Sequence, residues 1–310
     1  MPILFASPKW HEYSIFLETA FNANGLDFNE ITTDQKINPD TVEFIIYSSD
    51  SSLKDFSPFK NMKAVLNLWA GVEDIIQNKT LTKPLVRLVD VGMKQGMVEW
   101  CLAHVLRHHL LTDIHVKNQD GIWRSNTVPP LATEVTVGIL GLGALGTAVA
   151  TALSGVGFKV KGWSQTPKII KNIESFSGGN SLPRVLESAQ ILILLLPLTP
   201  NTKFMINSHT LNLLPKDAII INPGRGHLIN DDDLLAAFDS GHISHATLDV
   251  FSKEPLPATH PYWNHPKVTV TPHIAAHTRP QSSADTIAQN IVKIRRGESP
   301  TGLVNPTKFY

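Results

Sequence analysis

The sequence is poor in the features that mark disulfide-stabilised and metal-binding proteins. It has one cysteine among 310 residues, Cys101, which excludes an internal disulfide framework. No CxxC motif and no Cys/His metal-binding spacing surrounds it, so no bound metal is expected. A free cysteine in an apolar, helix-like stretch favours a reducing compartment, and we expect the cytoplasm.

Long apolar runs and excess charge are missing as well. The longest aliphatic run, 191–196, is only as long as a strand, and the first residues lack the pattern of a secretory signal. Neither export nor membrane anchoring is therefore expected. The 27 basic residues equal the 27 acidic ones, so no general attraction to nucleic acid or membrane is predicted. Local groups would have to bind any anionic ligand.

Short aliphatic runs that alternate with helix-length segments dominate the chain. The runs lie at 3–6, 44–47, 64–68, 135–140, 159–163, 191–196, 218–221, 246–250 and 268–271. Such alternation predicts α/β domains with doubly wound parallel sheets. With 42% hydrophobic content, a chain of 310 residues can form two of them.

The runs fall into two groups, separated by a predicted helix at 97–111 and a loop that contains Pro129 and Pro130. A second predicted helix, 281–296, lies beyond the last run and is expected to return to the first group. The predicted organisation is a Rossmann cofactor domain, residues 97–278, inserted in a flavodoxin-like substrate domain, residues 1–96 plus 279–310.

The turn after the run 135–140 reads GLGALG, which is typical of a dinucleotide site. Gly141 permits the tight turn, Gly143 lets a pyrophosphate approach the backbone, and Gly146 lets the next helix pack closely on the strand. The helix start, with Ala144 and Leu145, would stabilise the phosphate charge. The strand before and the helix after make a plain tight turn the weaker alternative.

Ser164 stands where the second strand of such a site usually ends in an acid that binds the ribose hydroxyls of NAD. An acid would repel a 2′-phosphate, whereas Ser164, Gln165, Thr166 and Lys168 offer hydroxyl, amide and ammonium donors. NADP(H) is therefore the preferred cofactor and NAD(H) the second choice. The arginine that usually binds the 2′-phosphate is absent, so a serine that leaves the preference unchanged stays an open alternative.

Three further motifs each follow a predicted strand: NPGRG at 222–226, LDVFSKEP at 248–255 and TPHIA at 271–275. Together with GLGALG and LPLTPNT at 196–202, they resemble the D-isomer-specific 2-hydroxyacid dehydrogenase family. Within that family the chain resembles the branch that reduces glyoxylate and hydroxypyruvate. The resemblance implies reduction of a small 2-oxo acid to a 2-hydroxy acid by a nicotinamide cofactor, with Pro197, Thr202 and Asp249 near that cofactor.

Arg225, Asp249 and His273 each follow a strand of the same predicted sheet, so they are expected to converge at one edge. Reducing a 2-oxo acid requires a cation for the carboxylate and a proton donor that titrates near neutrality. The fork of Arg225 suits the first task and the imidazole of His273 the second, while Glu254 can keep His273 protonated. The predicted catalytic residues are Arg225, Glu254 and His273. Four other histidines are interpreted as structural: His104, His108, His109 and His277.

In the first domain, LWAGV at 68–72 resembles the glycine loop whose amides bind the substrate carboxylate in this family. Ala70, Gly71 and Val72 are therefore expected to bind substrate together with Arg225 and His273. An ordinary strand-to-helix turn is the alternative. Relatives usually pair through the cofactor domain, so a homodimer is expected, with residues 97–130 long enough to form an arm.

Two other functions on this fold were open to consideration from the sequence. The resemblance extends to corepressors that bind NAD(H), but the complete catalytic set and the lack of long disordered tails argue against an interaction protein. Formate or phosphite dehydrogenation lacks an additional substrate-binding signature. The leading hypothesis is an NADPH-preferring reductase of glyoxylate and hydroxypyruvate, with no nucleic-acid or membrane partner.

Overall fold

The structure, a computed structural model, describes residues 1–306. The chain divides into two compact units: Met1–Met93 with the chain from Thr278 onward, and Lys94–His277. Each unit is built on its own parallel sheet. This confirms the predicted fold class, two α/β domains with parallel sheets. Within the described residues, no helix is both long and apolar enough to span a membrane.

The helices, in chain order, are α1 Trp10–Ala23, α2 Glu73–Ile76, α3 Val91–His109, α4 Thr112–Lys117, α5 Ala144–Val156, α6 Leu182–Leu186, α7 Ser208–Asn212, α8 Asp231–Asp239 and α9 Pro280–Arg295. The predicted helix at 281–296 corresponds to α9. The other predicted helix, 97–111, begins earlier as α3, because the Asp90 carboxylate accepts a hydrogen bond from the Met93 amide at 2.7 Å. Such a bond satisfies one of the free amides at a helix start.

The sheet of the first unit contains β1 Ile3–Ala6, β2 Ile31–Thr32, β3 Phe44–Tyr47, β4 Ala64–Asn67 and β5 Leu85–Val86. The strand order is β2-β1-β3-β4-β5, and all neighbouring pairs are parallel. Both faces of the sheet are buried: Phe5 packs on one face with Ile287 of α9, and Leu4 packs on the other with Phe56. Burial on both faces explains why these strands are continuous aliphatic runs.

The sheet of the second unit contains β6 Thr136–Leu140, β7 Lys159–Ser164, β8 Glu174–Ser177, β9 Ile191–Leu194, β10 Ala218–Asn222, β11 Ile243–Leu248 and β12 Val268–Val270. Its order is β12-β11-β10-β9-β6-β7-β8, again parallel throughout. Read from β8 to β11, this is the 3-2-1-4-5-6 order of the Rossmann fold. The strand order reverses between β6 and β9, which is where such sheets bind dinucleotides.

All nine predicted strands are confirmed as β1, β3, β4, β6, β7, β9, β10, β11 and β12. The sequence does not predict β2, β5 or β8. The first two have only two residues each, and β8 is an edge strand with the polar sequence ESFS. Strands of this kind form because a neighbouring strand offers hydrogen bonds, which the local sequence does not show.

Candidate active site

The predicted site residues of the second unit follow strands whose carboxyl ends share one edge of the sheet. They are Gly141 after β6, Ser164 at the end of β7, Pro197 after β9, Arg225 after β10, Asp249 after β11 and His273 after β12. Parallel strands place all of these loops on the same side. The sheet therefore brings together residues that are distant in sequence.

The glycine turn between β6 and α5 has the shape that a pyrophosphate requires. Gly141 has a φ of 109°, in the region that favours glycine. A Cβ on Gly146 would lie 1.8 Å from the Gly141 carbonyl oxygen, so only glycine lets α5 pack on the turn. A Cβ on Gly143 would meet nothing within 4 Å. The amino end of α5 is thus open to an anionic ligand.

The loop after β7 is shaped by Ser164, which is 8% exposed. Its hydroxyl donates a hydrogen bond to the Thr166 carbonyl oxygen at 2.7 Å. Gln165, Thr166 and Lys168 are exposed beyond it. Ser164 therefore closes the turn, and the three exposed residues present amide, hydroxyl and ammonium donors at the surface.

In the loop after β9, the Thr202 hydroxyl accepts a hydrogen bond from the Thr199 amide at 2.8 Å and donates one to the Pro197 carbonyl at 2.7 Å. Thr202 is 8% exposed. The sequence interpretation places Pro197 and Thr202 near the cofactor. In the structure the Thr202 hydroxyl forms its hydrogen bonds within this loop and stabilises the loop conformation. A ligand would therefore contact the exposed surface of the loop.

The loop that carries Arg225 is braced from within. The buried Asn222 side chain accepts a hydrogen bond from the Gly224 amide at 3.1 Å and donates one to the Arg225 carbonyl at 3.0 Å. A Cβ on Gly226 would lie 1.9 Å from the carbonyl carbon of Phe251. Glycine at 226 is therefore required for this loop to run against the loop that follows β11.

His273 and Glu254 form a hydrogen-bonded pair at this edge. The ring Nδ1 of His273 lies 2.7 Å from Glu254 Oε2, and Glu254 Oε1 accepts a hydrogen bond from the Phe251 amide at 2.9 Å. Because the carboxylate can only accept, Nδ1 carries a proton, and Nε2 is the ring nitrogen that this hydrogen bond does not use. The side chains are 53% and 36% exposed, respectively, so a ligand has access.

The two pKa values shift in opposite directions. The hydrogen bond that His273 donates to Glu254 raises the pKa of His273, against the opposing effects of partial burial and of the Arg225 charge. Burial would raise the pKa of Glu254, but the His273 hydrogen bond and the Phe251 amide lower it below its ordinary value. The hydrogen bond between the two side chains thus favours the protonated imidazole and the ionised carboxylate.

Asp249 holds the segment on which His273 lies. Its carboxylate is fully buried and accepts hydrogen bonds from the Thr271 hydroxyl at 2.5 Å and from the Ile274 and Ala275 amides at 2.9 Å each. His273 itself has a φ of 55°, a strained conformation for this residue. The sequence interpretation makes Asp249 a cofactor contact. In the structure its carboxylate binds the 271–275 segment instead. Asp249 would therefore influence a cofactor indirectly, by positioning that segment.

Two bracing residues lie inside quoted motifs without a predicted role, Asn222 and Thr271. The feature of the sequence that could have identified them is a small polar residue where an aliphatic run ends. Of the histidines interpreted as structural, His104 contacts the tilted ring of Trp100, His108 hydrogen-bonds the Thr247 hydroxyl at 2.8 Å, and His109 contacts Phe158. His277 differs in being exposed.

In the first unit, the predicted substrate loop follows β4. Ala70 and Gly71 are half-buried, and the Val72 side chain packs in the core. Within the described part of the chain, the amides of these three residues donate no hydrogen bond. They are therefore available to an acceptor from outside the protein.

Comparison with known proteins identifies the family. Residues 100–275 match the model of the D-isomer specific 2-hydroxyacid dehydrogenase NAD binding domain. The chain belongs to this family. Its predicted family membership is thereby confirmed, and the family's motifs lie on the strand ends described above.

Curated relatives include glyoxylate/hydroxypyruvate reductase A of Yersinia enterocolitica, 42% identical over 257 residues, which are 80% of this chain and 82% of the relative. The protein of the same name from Serratia proteamaculans is 43% identical over the same shares. The predicted resemblance to this branch is confirmed.

Solved structures agree over the whole chain. A family member from Xanthobacter autotrophicus in complex with NADPH and MES has a TM-score of 0.91 and 36% identity, covering 100% of this chain and 99% of that one. The NADPH-dependent glyoxylate/hydroxypyruvate reductase of Sinorhizobium meliloti in complex with NADP and sulfate has a TM-score of 0.87 and 29% identity, with the same coverage.

Proposed function

We propose that this chain, an NAD(P)-dependent oxidoreductase of the family named above, reduces glyoxylate and hydroxypyruvate and prefers NADPH. The observation that carries the proposal is the His273–Glu254 pair, in which the 2.7 Å hydrogen bond to the carboxylate raises the pKa of His273. The named relatives support the choice of substrates.

The chain binds NADP(H) and can take NAD(H), in line with the relatives solved with NADPH or NADP. The open turn at Gly143 and the amino end of α5 fit the pyrophosphate. We assign Ser164, Gln165, Thr166 and Lys168 to the adenosine ribose and its 2′-phosphate. The remaining predicted cofactor residues, which complete the assignment, are Gly141, Ala144, Leu145, Gly146, Pro197, Thr202 and Asp249.

In the proposed reaction, Arg225 binds the substrate carboxylate and polarises the carbonyl, and the amides of Ala70, Gly71 and Val72 bind the carboxylate. A reduced nicotinamide bound at this site would supply the hydride that the carbonyl carbon accepts. His273 Nε2 gives its proton to the carbonyl oxygen as negative charge develops there, which yields the 2-hydroxy acid. Glu254 stays ionised and holds the imidazolium until the proton has moved.

We further propose a cytoplasmic homodimer. Cys101 is buried as a free thiol, which suits a reducing compartment. The segment 110–131, here called the arm, exposes apolar side chains that water disfavours. They are Leu110, Ile114, Val116, Ile122, Trp123, Val128 and Leu131. In the proposed dimer, the arm packs against the arm of a second copy of the chain.

The test of the proposed function is the loss of absorbance of NADPH and of NADH with a panel of 2-oxo acids. We expect turnover with glyoxylate and hydroxypyruvate and a higher specificity constant with NADPH. Oxidation of formate or phosphite in place of this reaction would contradict the proposal. Tight binding of NAD(H) without any turnover would instead favour the corepressor-like alternative.

A variant ties the activity to the proton donor. His273→Ala should lower kcat by roughly 100-fold to 10,000-fold, the usual contribution of a positioned general acid, while NADPH binding stays nearly unchanged. NADPH fluorescence titration measures the binding. His209→Ala, at an exposed histidine of α7, is the matched control. If His273→Ala kept more than about a tenth of wild-type kcat, another group would be the proton donor.

A further inference from the structure

A buried polar side chain lies directly before the substrate loop. Asn67, the last residue of β4, is 2% exposed within an otherwise apolar run, AVLNL. Its Nδ2 donates hydrogen bonds to the carbonyl oxygens of Trp69 at 2.9 Å and of Gly71 at 2.8 Å. Two carbonyl acceptors require the amide nitrogen at this position, so the orientation of the side chain is determined.

These two bonds help to set where the loop amides point, together with the Leu88 amide, which also donates to the Trp69 carbonyl oxygen at 3.0 Å. The peptide bonds around the loop are trans, since the cis bond found in the described chain is Glu254–Pro255. In a trans peptide the C=O and the following N–H point in opposite directions. With the Trp69 and Gly71 carbonyls turned toward Asn67, the N–H groups of Ala70 and Val72 point away from it. Both face outward together, as in a backbone anion site.

Packing does not explain an asparagine here. Burying an amide in an apolar strand costs free energy unless its groups are hydrogen-bonded, and Asn67 Oδ1 has no partner in the described structure. Leucine has the same number and branching of side-chain heavy atoms and carries no polar group that needs a partner. The part of Asn67 that forms bonds is the amide nitrogen, and both of its bonds go to the loop.

We propose that Asn67 is a positioning residue that aims the Ala70 and Val72 amides at the carboxylate of the 2-oxo acid. The inference rests on the proposed function and deepens it. It also reduces the predicted carboxylate donors from three amides to two, those of Ala70 and Val72. The Gly71 amide belongs to the peptide whose carbonyl is that of Ala70, and Asn67 does not bind that carbonyl.

The expected effect on KM and kcat follows from the charge of the substrate carboxylate, the group that the loop amides bind. The carboxylate is the same before and during reduction, so losing its aimed donors weakens ground state and transition state alike. Such a loss raises KM and leaves kcat nearly unchanged. Asn67→Asp is nearly isosteric but turns an oxygen toward both carbonyls, and Asn67→Leu removes the donor while keeping the branched arrangement of the side chain.

The experiment measures kcat and KM for glyoxylate, KM for NADPH and the inhibition constant of oxalate, a dianion that cannot be reduced. In both variants we expect KM for glyoxylate and the oxalate constant to rise together by about tenfold or more, with kcat and the NADPH KM within about twofold of wild type. Asn78→Asp is the matched control, since the Asn78 amide also donates to a loop carbonyl, that of Lys54 at 2.8 Å.

Unchanged glyoxylate KM and oxalate inhibition in both variants would overturn the inference while leaving the proposed function in place. A fall in kcat with a parallel rise in the NADPH KM would overturn it too, because that pattern indicates a general loss of structure. Circular dichroism and thermal melting check folding, and Asn67→Leu serves if Asn67→Asp does not fold. A wild type that reduces no 2-oxo acid would remove the proposed function itself.

Discussion

At the scale of single residues, the proposed proton donor, His273, depends on its neighbours for its position and its pKa. His273 is placed by the buried Asp249 carboxylate, which binds amides on the carboxyl-terminal side of the histidine. It is held in its charged form by Glu254, which the structure places 2.7 Å from Nδ1. A histidine at the same position in the sequence, without these two carboxylates, would have neither the orientation nor the raised pKa.

Glu254→Gln should move the alkaline limit of reduction to lower pH. The pKa of His273 is raised mainly by its bond to Glu254, so the protonated donor persists until the pH rises through that pKa. Removing the negative charge lowers the pKa, and activity is then lost at a lower pH. The kcat/KM profile against pH measures this. Glu187→Gln, at an exposed carboxylate of the same unit, is the control, and coincident profiles would exclude Glu254 from this role.

At the scale of elements, the loop after β7 tests the choice of cofactor. Ser164→Asp places a carboxylate where the 2′-phosphate is proposed to bind, so preference should move toward NADH. Like-charge repulsion at a partly solvated site is worth about 1 to 3 kcal/mol, which corresponds to a change of about 10-fold to 100-fold in the ratio of specificity constants.

Ser164→Ala is the control for this change, because it removes the bond to the Thr166 carbonyl without adding charge. It should change the ratio of specificity constants much less than Ser164→Asp does, because it adds no charge that opposes the phosphate. If Ser164→Asp moved the ratio no further than Ser164→Ala, the loop would not bind the phosphate.

The packing of α3 on β11 makes the second unit sensitive to acid. Burial, with the neighbouring His245 and Arg107, lowers the pKa of His108 to about 3. Burial likewise lowers the pKa of His245 to about 4. In the unfolded chain both would titrate near the ordinary value of about 6.5. Below that pH the unfolded state binds more protons, so the free energy of unfolding falls as the pH drops.

Each histidine should remove about 1.4 kcal/mol of stability per pH unit between roughly pH 6 and pH 4.5. His108→Gln keeps a group that can bond the Thr247 hydroxyl but does not titrate, so the slope should decrease by about one proton. Urea unfolding at several pH values measures it, with the exposed His209→Gln as control. An equal slope in His108→Gln and wild type would contradict this assignment.

At the scale of the whole molecule, the arm predicts self-association. Light scattering at micromolar concentration should give about twice the mass of the chain. Ile122→Ser with Trp123→Ser should shift the protein toward monomer, because these side chains are 64% and 93% exposed in the single chain. Ile169→Ser, at a fully exposed isoleucine outside the arm, should not. A wild type of monomeric mass would exclude the proposed dimer.

The sequence alone determined the main elements and was enough to propose the catalytic residues. Strands buried on both faces are continuous aliphatic runs, and the glycine turn needs glycine for local steric reasons, so both are visible without tertiary structure. The family motifs name Arg225, Glu254 and His273 for the same reason, since each depends on residue type and on a position after a strand.

Only the tertiary structure decided how buried polar groups are used. Asp249 binds a loop that comes more than twenty residues later, Thr202 closes its own loop, and Asn67 turns two carbonyls of the next segment. The short strands β2 and β5 and the early start of α3 were likewise decided by partners. A hydrogen bond has direction and needs a partner at about 3 Å, and the sequence shows which groups can bond but not which groups the fold brings that close.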